Sequence, residues 1–396
     1  MNNILNQNLL LKGKKVLLRV DLNVPMKNGA ITETSRIEKI IPTIKLLIEK
    51  QAKIIVLSHI GRPKGKIVEE MSLEPISKKL AFLLNKEVLF NKNIINENTL
   101  SEVNKIPNGS IMMLENIRFN EGEESNDSKF SKKLSNLGDI YVNDAFSCSH
   151  RAHASIEGIT KYIPSYFGLQ ITEEINALKK ITSEIKKPVT LIIGGSKIST
   201  KIKIINNLIK KFNNVIIVGG MANTMLKYTG SKVGKSICEN NCGPLIEEIL
   251  ENSKKYNCKI ICPVDVIVAK NLEGMGTKKD IKEIDENDMI LDIGPKTISS
   301  IKTIINNTNT VLWNGPAGYF ENPNFQNGTK QILEIISQKT KNDKIFSVAG
   351  GGETVSAINK FKKLDSFTFV STAGGAFLEY LEGKTLPAIK ALNQNV

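Results

Sequence analysis

Short apolar runs alternate with amphipathic stretches along the chain, the pattern expected of βαβ units and mostly parallel sheets. VLLRVDL (16–22), KIIVLSHI (53–60), SIMMLEN (110–116) and DIYVNDAF (139–146) predict a first series of strands. Between the first two, SRIEKIIPTIKLLIEK (35–50) predicts a helix, with Ile37, Ile40, Ile41, Ile44 and Leu47/Ile48 on one face. Ser35 is its expected N-cap, and Glu38 three residues on would complete a capping box. A second series comprises VTLIIGG (189–195), NVIIVGG (214–220), KIICPVDVIV (259–268), MILDIG (289–294), TVLWNG (310–315), KIFSVAGG (344–351) and FTFVSTAGG (367–375), with helical stretches such as PLIEEILENSKKY (244–256) between them. TEEINALKKITSEIKK (172–187) is charged and free of Gly and Pro until Pro188, which suits a connecting helix. The fold class is therefore α/β: two doubly wound domains, 1–171 and 188–379, each with a mostly parallel sheet flanked by helices, joined through 172–187.

Glycine placement locates one candidate site. Strand after strand in the second half ends in glycine: Gly194-Gly195, Gly219-Gly220, Gly315, Gly350-Gly351-Gly352 and Gly374-Gly375. Open α/β sheets bind ligands beyond the carboxyl ends of their strands. Glycine there lets backbone N–H groups approach a ligand, and a following helix N-terminus favours phosphate. The series predicts a nucleotide site. In the first half the corresponding positions carry polar and charged groups: Asp21, Asn23, Arg36, His59, Arg62, Arg118 and Arg151. Five basic groups at such positions form a basket for a small polyanion, because guanidinium binds phosphate and carboxylate bidentately.

Charge and cysteine content narrow the classes. Lys+Arg 54 against Asp+Glu 40 gives a net charge of +14. The lysines are scattered through predicted helices, which describes a solvated surface better than a nucleic-acid footprint. No apolar run reaches the roughly 20 residues of a membrane span. Met1-Asn2-Asn3-Ile4 lacks the basic and apolar parts of a signal peptide, so a soluble, cytoplasmic protein is expected. Cys238/Cys242 and Cys258/Cys262 form two C-x3-C pairs, a spacing that can mark zinc. Read as one buried strand, 259–268 would hold the second pair roughly 13 Å apart, too far for one ion, so structural thiols are expected.

Familiar nucleotide motifs fail. Gly383-Lys384-Thr385 has Leu378 where a P-loop needs its first glycine, His150-Arg151 is followed by Ala152 rather than Asp, and no G-x-G-x-x-G follows the first strand. Instead RVDLNVP (19–25), LSHIGRPKG (57–65), LENIRFNEGEE (114–124), NDAFSCSHRAHAS (143–155), GGSKISTK (194–201), GGMANTML (219–226), WNGPAGYFE (313–321), AGGGETVSA (349–357) and STAGGAFLEYLEGKTLPAI (371–389) resemble, in order and over essentially the whole chain, the phosphoglycerate kinase family.

The resemblance implies a two-domain hinge enzyme of glycolysis that moves a phosphoryl group between ATP and 3-phosphoglycerate, giving ADP and 1,3-bisphosphoglycerate. Mg2+ would assist and the enzyme would act as a monomer. The acid would bind the first domain, through Asp21, Leu22, Asn23, Arg36, His59, Ile60, Gly61, Arg62, Arg118 and Arg151. Arg36 would stand at the reacting end and the other basic groups at the remote phosphate. Nucleotide would bind the second domain through Lys201, Gly219, Gly220, Asn314, Glu321, Gly350, Gly351, Gly352, Glu353 and Thr354. Lys197, Gly374 and Gly375 would follow the transferred group. Lys197 and Lys201 are expected on one face of a helix start. The family usually has Asp where this chain has Glu353, the expected Mg2+ contact, directly or through water. Ala373 replaces a common glycine. The last segment, 380–396, would pack back on the first domain. Two alternatives stay open on sequence: a nicotinamide-dependent dehydrogenase, which would need the missing fingerprint, and a basic RNA-binding protein, motivated by the net charge alone.

Overall fold

A computed structural model of the 396-residue chain describes residues 3–4, 9–27, 29–342 and 344–394. The extreme N-terminus read for a signal sequence, and the last two residues of the C-terminal segment, lie partly or wholly outside these. The chain divides into two compact units, Met1–Asn176 with Thr385–Val396, and Ala177–Lys384.

The first unit is built on a six-stranded parallel sheet. Its strands are β1 (Lys15–Arg19), β4 (Lys53–Leu57), β5 (Val88–Asn91), β6 (Ile111–Leu114), β7 (Ile140–Asn143) and β8 (Ser165–Phe167), in the order β5-β6-β4-β1-β7-β8; a small hairpin, β2 (Met26–Lys27) with β3 (Ala30–Ile31), follows β1. Val16, Leu17 and Leu18 of β1 and Ile54, Ile55 and Val56 of β4 are wholly buried. Strands covered on both faces need such continuous apolar runs.

The second unit repeats the plan. Its parallel sheet has β9 (Val189–Ile193), β10 (Asn214–Ile217), β11 (Lys259–Ile261), β15 (Thr310–Asn314), β16 (Phe346–Gly350) and β17 (Phe369–Ser371) in the order β11-β10-β9-β15-β16-β17. A separate antiparallel sheet, β13-β12-β14, contains β12 (Asp265–Ala269), β13 (Thr277–Asp280) and β14 (Met289–Ile293). The run 259–268 is therefore two strands in two sheets, not one. Pro263, which cannot donate to a ladder, stands in the gap. Cys258 and Cys262 flank β11 and do not lie within one long strand.

Two local expectations also change. The helix Ser35–Glu49 is present, with Ile37, Ile40, Ile44 and Leu47 buried, but its N-cap is Thr34, not Ser35. Thr34 lies in the helical region (φ −112°, ψ −4°) and makes no cap bond to the backbone; its hydroxyl donates to Glu38 Oε1 at 2.6 Å, while Ser35 N–H donates to Glu33 Oε1 at 2.7 Å. The helix expected at 172–187 spans Leu169–Thr182. It buries Ile171, Ile175, Leu178 and Ile181, and it ends where the N–H groups of Ser183 and Glu184 both turn back to Lys179 O at 2.8 Å.

The start of that helix is set by Asp144, a wholly buried residue just after β7. Its carboxylate accepts from Ile171 N–H at 3.0 Å and from the Thr43 hydroxyl on helix Ser35–Glu49. One acidic side chain thus ties the helix that carries Arg36 to the N-terminus of the next, where negative charge is favoured. In the C-terminal segment, helix Pro387–Gln394 sets Ala388 against Ala145, Cys148 and Ile156, and Ala388 N–H donates to Ser149 O at 3.1 Å.

Burial pushes the Asp144 carboxyl up to about 6, against the hydrogen bonds that lower it. A folded value above the unfolded one means that stability from this group is fully present below about pH 4 and is lost as pH rises through 6. Asp144→Ala should destabilise the protein by about 2–4 kcal/mol, since it leaves a buried N–H and hydroxyl unpaired. Asp144→Asn, which keeps an acceptor, should recover most of this and flatten the decline between pH 4 and 6. Urea unfolding across that range measures both, and an unchanged slope in Asp144→Asn would contradict the assignment.

Candidate active site

In the first unit the polar groups gather beyond the carboxyl ends of β1, β4, β6 and β7. Asp21 and Asn23 lie in the turn after β1. Arg36, in the first turn of its helix, donates to Asp21 Oδ2 at 2.6 Å and to Asn23 O at 3.1 Å. Ser147 also donates to Asp21 Oδ2, and Asn23 N–H donates to Oδ1 at 3.0 Å.

The turn after β4 is fixed from three sides. Leu22 N–H donates to Ser58 Oγ at 3.0 Å, Gly61 N–H to Asn23 Oδ1 at 3.0 Å, and Asn116 Nδ2 to Ile60 O at 2.8 Å. Arg118, almost wholly buried, donates to Gly61 O at 2.7 Å and lies 3.4 Å from Glu124. Gly61 has φ +64°, and a Cβ there would fall 2.6 Å from the Met71 sulfur, so only glycine suits the position. Arg62 beside it is exposed, and among the described residues no hydrogen bond claims its guanidinium. Arg151 Nε lies 3.4 Å from His150 Nε2.

The basket differs from the expected one in charge. Burial, and then the guanidiniums of Arg19, Arg118 and Arg151, hold His59 well below the usual histidine range. His59 is neutral at pH 7, so the positive charge of the cluster rests on its arginines. Asp21, His59 and Cys148 bring possible ligand atoms within 4.8 Å of one another. Both Asp21 oxygens are already engaged, and the surrounding guanidiniums oppose a cation.

In the second unit two clefts open beyond the carboxyl ends of β9, β10, β15 and β16. The larger, about 280 Å³, is lined by Gly195, Gly219, Gly220, Ile237, Leu291, Pro316–Tyr319, Glu321 and Glu353 among others. Its apolar walls and glycine floor suit a flat base. The second, about 210 Å³, is lined by Lys197, Lys201, Asn314, Gly315, Gly351, Gly352, Glu353, Thr354 and Leu378 with Gly195 and Ser196. Gly195, Ser196 and Glu353 belong to both walls. Gly315 has φ +111°, and a Cβ on it would stand 2.3 Å from Gly194 O. Neighbouring strand ends therefore approach backbone to backbone, which side chains would prevent.

Lys201 Nζ donates to Gly194 O at 2.7 Å and to Asn314 Oδ1 at 2.6 Å, and Asn314 Nδ2 donates to Gly350 O at 2.7 Å. Burial lowers the Lys201 ammonium to about 8, with Glu353 opposing. Thr354 Oγ1 accepts from Gly315 N–H at 2.7 Å. Lys197 and Lys201 do not share a helix face: the helix begins at Ile202, with Lys201 as its N-cap and the exposed Lys197 in the preceding turns. Ile198 between them is buried, which anchors those turns in a non-helical path. Gly374 and Gly375 open helix Gly374–Leu381, whose Leu378 lines the second cleft; the two glycines line neither wall.

Three further residues at these clusters were not among the expected site residues. Arg19 is wholly buried, with Nε donating to Ser155 Oγ at 2.9 Å and a terminal nitrogen 3.2 Å from His59 Nδ1. A charged residue inside the apolar run VLLRV was the available signal. Asp292 lines the base cleft, accepts from Gly328 N–H at 2.7 Å and is pushed up to about 7 by burial. Thr329 accepts from Ala317 N–H at 3.0 Å and so steadies the same wall. Only the fold brings these to the site.

Known proteins share this arrangement. The family model described as phosphoglycerate kinase matches residues 6–384. A phosphoglycerate kinase from Chelativorans sp. (strain BNC1) is 47% identical over 384 residues, covering 96% of each chain. One from Wolbachia pipientis subsp. Culex pipiens (strain wPip) is 46% identical over 380 residues, again covering 96% of each. The solved phosphoglycerate kinase of Coxiella burnetii superposes with a TM-score of 0.90 at 40% identity, covering 98% of both chains. The enzyme of Pyrococcus horikoshii OT3 does so with a TM-score of 0.83 at 28% identity, covering 100% of this chain and 99% of that one. By sequence over nearly its whole length and by structure, the chain belongs to the phosphoglycerate kinase family.

Proposed function

We propose that this chain catalyses reversible phosphoryl transfer between ATP and the carboxylate of 3-phosphoglycerate, forming ADP and 1,3-bisphosphoglycerate, as a cytoplasmic monomer. The observation that carries the reading is the division of labour within one family member: a cluster of four arginines in one unit and a glycine-floored cleft with a half-buried lysine in the other. Neither the dehydrogenase nor the RNA-binding alternative explains both.

Both reactants are polyanions and repel each other until cations offset the charge. The acceptor carboxylate is ionised at neutral pH, so no protein base is needed and catalysis is positioning plus charge stabilisation. In this reading Arg62, Arg118, Arg151 and neutral His59 hold the remote phosphate, and Asp21 and Asn23 orient the glycerate. Arg36, steadied by Asp21, stands by the reacting carboxyl. Lys201 neutralises nucleotide phosphates, Asn314 holds Lys201 in place, and Glu321 accepts from ribose. Gly350–Gly352 and Thr354 shape the phosphate cleft, and Lys197, Gly374 and Gly375 serve the group in flight. Domain closure about a hinge would join the two halves and exclude water.

Glu353 suits Mg2+: it is an exposed hard oxygen donor in the walls of both clefts, and among the described residues no hydrogen bond claims its carboxylate. Bound with nucleotide, the metal would neutralise phosphate charge. No nucleic-acid or membrane partner belongs to this reading.

A coupled assay with 3-phosphoglycerate and Mg-ATP tests the proposal directly, and a folded sample without turnover overturns it. Within that assay Arg36→Ala should lower kcat by about 100-fold or more, whereas Arg62→Ala or Arg151→Ala should chiefly raise KM for 3-phosphoglycerate; normal turnover in Arg36→Ala contradicts the role. Because a lysine is charged only below its pKa, kcat/KM for nucleotide should decline above about pH 8. Lys201→Arg should abolish that decline, and an identical decline would assign it elsewhere. The extra methylene of Glu353 lengthens its reach by about 1.5 Å over Asp. Glu353→Asp should therefore shift the ratio of Mg2+ to Mn2+ activation, and indistinguishable activation profiles would remove Glu353 from the metal.

A further inference from the structure

Arg19 lies at the end of β1, inside the basic pocket, yet it cannot touch a ligand. It is wholly buried, and its donors are taken by protein: Nε by Ser155 Oγ at 2.9 Å, one terminal nitrogen by Val20 O, the other by His59 Nδ1 at 3.2 Å. Arginine has donors and no acceptor. His59 Nδ1 must therefore accept with its lone pair, and the proton of the neutral ring sits on Nε2.

Behind Arg19 stands an equally buried support. Ser155 Oγ donates to Glu123 Oε1 at 2.6 Å, Ser155 N–H donates to Glu123 Oε2 at 2.9 Å, and both residues are fully enclosed. The hydroxyl has one proton, given to Glu123, so it meets Arg19 as an acceptor. Every link has its donor and acceptor matched from Glu123 through Ser155 and Arg19 to His59. The Glu123 carboxylate balances a guanidinium that burial would otherwise make costly.

We infer that Arg19, supported by Ser155 and Glu123, is a positioning residue that fixes His59 as a neutral Nε2–H donor for the bound anion. The inference rests on the reading of this pocket as the 3-phosphoglycerate site. Its consequence is that His59 adds no pH dependence of its own to substrate affinity through the range where a free histidine would titrate. The charged and titratable groups facing His59 agree with a neutral ring: Arg19, Arg118, Arg151 and His153 all disfavour a proton, with Asp21 and Cys148 close by. The same arrangement disqualifies His59 as a metal ligand through Nε2, since that nitrogen has no lone pair to offer.

The ligand-free parent protein, labelled with ¹⁵N-histidine, gives the direct test. At pH 7 a long-range ¹H–¹⁵N correlation should show His59 with Nδ1 bare and Nε2 protonated, and the ring should not titrate near pH 6.5. A proton on Nδ1, or ordinary titration, overturns the inference. His59→Gln keeps an N–H donor where Nε2 stood and should raise KM for 3-phosphoglycerate only about threefold. His59→Asn moves the donor to the Nδ1 position and should raise KM on the order of tenfold; equal KM values for the two variants would overturn the donor role. Arg19→Met should give His59 a mixture of Nδ1–H and Nε2–H tautomers at pH 7 and raise KM for 3-phosphoglycerate with no parallel change in kcat; an unchanged tautomer in this variant contradicts the inference. Should Arg19→Met not fold, the spectrum and the two His59 variants decide alone. The spectrum needs no substrate, so a correct tautomer without 3-phosphoglycerate binding would sink the functional reading and leave the Arg19 contact standing.

Discussion

Strands buried on both faces leave nowhere along their length for charge, and this constraint organises the molecule. All five residues of β9 and of β15, and all four of β6 and β7, are buried. A cation or phosphate-binding amide can therefore appear only where the strands stop. In a parallel sheet they stop on the same side, so separate turns supply one cluster. Each unit applies this rule with different residues: arginines and an aspartate in the first, glycines and one lysine in the second.

The two clusters meet their charge differently. The second unit relies on backbone. Close approach at Gly194, Gly315 and Gly351 brings strand ends together, and the half-buried Lys201 is pinned between Gly194 O and Asn314. The first unit relies on side chains, and its cations need scaffolding. Asp21 steadies Arg36, the Gly61 carbonyl holds Arg118, and the buried Arg19 faces His59. Arg62, the exposed member, has no such support and keeps its donors for a ligand.

Much of this was readable from the chain. Hydrophobic periodicity located the twelve parallel-sheet strands only in part, but it found those after which the glycines and the arginines cluster. It failed where the pattern is ambiguous. The run 259–268 is apolar apart from Lys259 and Asp265, and nothing in its periodicity says that Pro263 separates strands of two different sheets. The segment 197–201 has helical spacing, yet the burial of Ile198 holds it in turns before the helix at Ile202.

The sequence by itself determined which chemical groups are available and at which strand ends they emerge, because alternation of apolar runs and turns is a local property. Tertiary structure decided their states. His59 reads as one more cation in sequence, and it is neutral because residues 19, 118 and 151, distant along the chain, surround it in a dry pocket. Lys201 reads as a charged contact for nucleotide phosphate, and it is half-buried with a lowered pKa because β9 and β15 lie side by side. Protonation depends on burial and on neighbours in space, and a linear pattern records neither.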